Sequence, residues 1–144
     1  MKFLHIAAAV VWLGGIVFML FALRPAVTTQ LQPPQRLPLI ALVLSRFFTL
    51  VWISIGTLLL TGLAMLLAVG MKNAPLGWHL MLGLGLLMFA LFGHLYFGPY
   101  KRLKQAIAAA DWPEGGRRTG QIATLATVNL ALAAIAIAAV LFVV

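Results

Sequence analysis

The chain reads as an all-α integral membrane protein, a bundle of four spanning helices with both termini outside. Three observations predict this. Of 144 residues, 64% are hydrophobic and only 8% charged, whereas a soluble domain carries about a quarter charged residues. Four separate stretches reach the ~20 apolar residues that a spanning helix needs. The ten Lys and Arg against two Asp and Glu are also unevenly placed, with most of the basic residues between the first and second and between the third and fourth of those stretches. This composition excludes a soluble enzyme and a disordered segment. The absence of cysteine excludes a disulfide framework, an iron–sulfur cluster and a thiolate zinc site.

The first span is expected over about 3–23. It has Lys2 and an apolar core, but the core is too long for a cleaved signal and no small-x-small site follows it. It therefore reads as a retained helix that ends at Arg24-Pro25. Residues 25–38 hold Pro25, Pro33, Pro34 and Pro38, which predicts a compact irregular link, with Pro38 opening an interfacial run into the second span. That span covers about 47–69 and stops at Gly70, with Asn73-Ala74-Pro75 as the turn. The third covers about 76–97 and is punctuated by Gly98-Pro99. Residues 100–112 extend it or lie along the interface, with Leu103, Ile107 and Trp112 towards lipid and the lysines in water. The fourth covers about 119–143, after Pro113-Glu114-Gly115-Gly116. The four spans take up the chain as one domain, 1–144.

Orientation follows from the basic residues. Arg24, Arg36, Arg46, Lys101, Arg102, Lys104, Arg117 and Arg118 fall on one side, and only Lys2 and Lys72 on the other. That places loops 24–46 and 98–118 in the cytoplasm of a bacterial inner membrane. The net charge of +8 is then an insertion signal and an attraction to anionic lipid, with no nucleic-acid partner implied. Asp111 and Glu114, the two acids, read as solvated loop charges.

An ionisable group inside a membrane is a functional hypothesis by default. His5 lies about one turn into the first span and His79 about one turn into the third, both from the outer end. Facing imidazoles at one level of a bundle are the geometry of a bis-histidine haem b, so His5 and His79 are the expected axial ligands. The face of His5 continues through Ala8, Ala9, Trp12 and Gly15, and that of His79 through Gly83, Ala90 and Gly93, which leaves room for a porphyrin. Small residues also serve ordinary helix packing in membranes. Lys2 and Lys72 are on the propionate side, where they equally suit snorkelling. His94, about 22 Å beyond His79 along the helix, reads as a boundary residue beside Tyr96. Trp12 and Trp52 are deep enough to flank a macrocycle, with core packing as their plainer role. Met1, Met71 and Met81 near the outer end keep a Cu(I) site open. A phosphate loop, a nucleophile elbow and a pair of intramembrane carboxylates are all missing from the sequence.

The stretch Phe3-Leu4-His5-Ile6-Ala7-Ala8-Ala9-Val10-Val11-Trp12-Leu13-Gly14-Gly15 resembles the first helix of the copper-resistance D (CopD) family, in which a histidine is followed seven residues later by tryptophan and then a glycine pair. Arg46-Phe47-Phe48 and Thr61-Gly62-Leu63 are similar to its second helix, and Ala74-Pro75-Leu76-Gly77 to the start of its third. The resemblance covers residues 1–100, and the first-helix motif is its strongest part. A branch of small haem proteins that oxidise protoporphyrinogen (HemJ-like) has a similar first-helix histidine and a histidine–lysine pair early in the third helix. Here only His79 matches that pair, and Gly83 stands where many relatives carry lysine. The resemblance implies a four-helix bundle with haem b between the first and third helices.

The expected function is therefore that of an inner-membrane b-type cytochrome, an oxidoreductase passing electrons between quinone, superoxide or a periplasmic redox protein. Self-association into a homo-oligomer is compatible with this. The alternative is a copper-binding or copper-transport protein that uses histidine and methionine without haem, and a third reading is a structural subunit.

Overall fold

The computed structural model describes residues 2–70 and 72–142. Among these, all regular structure is helical, and four helices are long and apolar enough to cross a membrane. The first rod comprises α1 (Lys2–Phe18), a π-helical turn (Met19–Leu23) and α2 (Arg24–Gln30). The second is α3 (Pro33–Val69). The third comprises α4 (Leu76–Leu95), a second π-helical turn (Tyr96–Tyr100) and α5 (Lys101–Ala108). The fourth is α6 (Trp112–Phe142).

The rods overrun the expected spans, and proline placement explains how. A proline inside a helix clashes with the carbonyl four residues back and removes one hydrogen bond. Pro25 sits in the first turn of α2, directly after the Met19–Leu23 turn, and Pro99 lies within the Tyr96–Tyr100 turn. The wider i→i+5 turn takes up the proline without ending the rod. The link expected over 25–38 is helical apart from Leu31 and Gln32. Pro33 and Pro34 open α3, where a missing N–H costs nothing. Pro38 lies inside α3 and does not begin it.

The turn between α3 and α4 does require a glycine. Gly70 has φ +92°, its N–H bonds the Leu66 carbonyl at 2.8 Å, and its own carbonyl accepts from Asn73 N at 3.0 Å. A side chain is strained in that conformation. At the other end, the Asp111 side chain accepts from Glu114 N at 3.3 Å, the pattern of a helix N-cap. Glu114 pairs with Arg117 at 3.0 Å and with Arg118 at 2.6 Å. Both acids therefore organise the start of α6; Asp111 is exposed ahead of the helix as expected, whereas Glu114 lies within its first turn.

The rods pack most extensively as two antiparallel pairs, α1 with α3 and α4 with α6. Lipid tails are as apolar as leucine, so packing and polar contacts must hold such a bundle together. Gly15 is one packing point: a Cβ there would collide with the Phe47 ring. Another is Gly115, where a Cβ would lie 2.8 Å from Leu37 Cδ1. Leu103 is fully buried and Ile107 packs against the same core, so Leu103 does not face lipid as the sequence suggested. Phe3, Ile53, Leu60, Leu67 and Phe142 form the exposed surface that a bilayer would cover.

Candidate functional site

A cavity of about 320 Å³ opens among the four rods near the start of α1. Helical spacing explains which side chains reach it. On α1 the wall is Lys2, His5, Ala9 and Trp12, at steps of three and four. On α4 it is Trp78, Met81, Gly85 and Met88, and α3 adds Gly62 and Met65. The wall is apolar except at its end, where Lys2 and His5 lie.

His5 is positioned by α3. Its Nδ1 lies 2.8 Å from Thr61 Oγ1, and the Thr61 hydroxyl donates to the Thr57 carbonyl at 2.6 Å. With that proton committed, Thr61 accepts, so the hydrogen-bond pattern assigns the proton of His5 to Nδ1. The unprotonated Nε2 is then the nitrogen available to a ligand. Gly62 leaves room for the ring: a Cβ there would stand 3.3 Å from His5 Cε1. Thr61 is buried, so this arrangement is screened from water.

Trp12 closes the far end of the cavity. Its ring stacks on Phe89 at 5.7 Å and meets Phe92 edge-on at 6.4 Å. Beyond it lies a second cavity of about 60 Å³, bounded by Leu20, Arg24, Phe48, Thr119 and Asn129 among others.

Of the residues singled out by sequence, His5, Lys2, Trp12 and Met81 come together on the larger cavity. His79 and Gly83 do not line it, although their neighbours Trp78 and Met81 do. Gly83 is exposed, with open space beside it. Lys72 is exposed in the turn before α4, and His94 is exposed on the last turn of α4. Trp52 joins an aromatic group with Phe92 and Tyr96, at 4.9 and 5.4 Å. Met1 and Met71 lie outside the described residues. A bis-histidine haem needs two imidazoles facing one another; the cavity wall supplies one, so that donor set is not assembled there. Among the described residues no three His, Cys, Asp or Glu side chains cluster as a metal site. Met65 and Met88 on the cavity wall, and Thr61 as the partner of His5, were not singled out for the site by the sequence reading. The signal was their spacing: Met81 and Met88 are two turns apart on one face, and Thr61 and Met65 are one turn apart.

The sequence profile of the family described as copper resistance protein D matches residues 41–143. The chain belongs to the copper resistance protein D family. The match runs from α3 through α6 and takes in Arg46-Phe47-Phe48, Thr61-Gly62-Leu63 and Ala74-Pro75-Leu76-Gly77. It leaves out α1, where the resemblance read from the sequence was strongest, and extends past residue 100, where that resemblance stopped. No curated protein and no solved structure matches the chain. In this copper resistance protein D member, the matched region contributes Met65, Met81 and Met88 to the cavity and Thr61 as the hydrogen-bond partner of His5. The unmatched α1 contributes His5 and Trp12.

Proposed function

We propose that this protein handles copper in a bacterial inner membrane, with the termini and the His5 cavity facing outward and the two basic loops in the cytoplasm. The carrying observation is the donor set: His5, Met65, Met81 and Met88 line one largely apolar cavity. Soft thioethers with an imidazole suit Cu(I), whereas carboxylates and carbonyls suit harder ions. The apolar lining disfavours a hydrated divalent ion and favours one that exchanges water for sulfur and nitrogen. Copper is the cargo here, and family membership supports the same class.

The purified protein in detergent is expected to compete with a chromophoric Cu(I) chelator, and His5→Ala to weaken that competition by about tenfold, the scale of one lost ligand interaction of roughly 1.4 kcal/mol. Unchanged competition in His5→Ala would remove the proposal. The b-type cytochrome, with quinone or a periplasmic redox partner, has the apolar cavity and His5 in its favour. It requires a Soret band with sharp α and β bands after dithionite reduction. A preparation showing those bands would replace the copper reading.

A further inference from the structure

The large cavity and the small one lie end to end along the bundle and share Trp12. On every rod one stripe of residues lines both. On the first rod the stripe runs Lys2, His5, Ala9, Trp12 and then Ile16 and Leu20; on α6 it runs Val140, Ala136, Ala133 and then Asn129 and Ala126. Among the described residues Trp12 alone touches both cavities. Polar groups mark the two ends, with Lys2 and His5 at one and Arg24 and Thr119 at the other.

Asn129 is the polar group between them. It lies about 26 Å from one end of α6 and about 20 Å from the other, at a depth where hydrocarbon offers backbone and side chain no water. It is 2% exposed. Its Nδ2 donates to the Met88 carbonyl at 3.3 Å, which ties α6 to α4 as interhelical polar contacts commonly do. That bond accounts for half of the amide. Among the described residues, Oδ1 has no hydrogen-bond partner, and an orphan buried acceptor is costly unless something meets it. The adjoining volume of about 60 Å³ exceeds the ~30 Å³ share of one water molecule.

We propose that the two cavities form one passage through the bundle, with Trp12 as its plug and Asn129 Oδ1 as an acceptor station for a small monovalent cation just beyond the plug. Trp12 suits that role. Its indole is held by Phe89 and Phe92, and its ring stands where the two linings meet. The passage rests on the reading of the His5 cavity as the receiving end.

The chain has no cysteine, so single introduced thiols report on the passage cleanly. Ala9→Cys places one in the large cavity and Ala126→Cys one in the small cavity. In sealed vesicles of phosphatidylethanolamine and phosphatidylglycerol, Ag⁺ is added to one side only, and modification is read as lost labelling by a maleimide after unfolding. With Trp12 present, Ala9→Cys should react only from the Lys2 side and Ala126→Cys only from the Arg24 side. Adding Trp12→Ala should abolish this sidedness, and Asn129→Leu in that background should slow crossing. Retained sidedness in a folded Trp12→Ala protein overturns the proposal. So does an Ala126→Cys thiol that, with Trp12 present, reacts equally from both sides or from neither. Should Trp12→Ala fail to fold, Trp12→Phe and the sidedness with Trp12 present still decide the matter. Cu(I) competition on the same preparations tests the receiving site separately: lost copper binding with a Trp12-dependent sidedness removes the copper reading and keeps the passage.

Discussion

Thr61→Val is the most informative single change, because it alters the proton on His5 without touching the imidazole. Valine keeps the shape of threonine and removes the oxygen that sits 2.8 Å from Nδ1. The same oxygen's bond to the Thr57 carbonyl at 2.6 Å is what makes it an acceptor, so the tautomer depends on both contacts. A net intramolecular hydrogen bond contributes about 0.5–1.5 kcal/mol. At roughly 1.4 kcal/mol per factor of ten, the Nδ1-protonated form should lose about two- to twelvefold of its advantage. Cu(I) affinity should fall by a similar factor, towards the lower end of the ~10–100-fold range of outer-shell changes at metal sites. Thr61→Ser retains the hydroxyl and should restore both. The assay is ¹⁵N NMR of the His5 ring without metal, followed by chelator competition. Ring shifts identical in Thr61→Val and the parent protein would refute the tautomer argument, whatever the copper result.

Two further predictions concern the frame around the site. Gly15→Leu forces a side chain into the Phe47 ring and should destabilise the α1–α3 pair by about 1–3 kcal/mol, the usual cost of overpacking, read as a lower thermal unfolding midpoint in detergent; an unchanged midpoint would show that α1 and α3 do not pack this way. Asp111→Ala removes the acceptor for Glu114 N and should cost about 1 kcal/mol, with Asp111→Asn recovering most of it in the same scan.

The four apolar rods and their breaks were legible because hydrocarbon thickness sets a length that composition alone satisfies. Their true ends were not, because proline is a weaker stop in a helix that can widen by one residue. Pro25 and Pro99 read as terminators, and at each a π-helical turn carries the rod onward. Leu103 was misplaced for a related reason. Among Lys101, Arg102 and Lys104 it looks interfacial, yet the continuation of the third rod turns it inward against the core, where it is fully buried.

The site was legible in depth and not in azimuth. Depth is a count of residues from the end of a span, and it brought His5, Lys2 and Met81 to one end of the bundle. Azimuth turns by about 100° per residue, so the face that a helix presents cannot be counted from its end when the packing partner is unknown. On α1 the step from His5 to Trp12 is seven residues, two turns, and both line the large cavity. On α4 the lining residues are Trp78, Met81, Gly85 and Met88. His79 is one residue from that stripe and therefore about 100° away from Trp78. A histidine pair inferred from matched depth thus becomes one histidine and a row of methionines. On the copper reading proposed above, that wall favours soft donors over a ligand pair for a macrocycle.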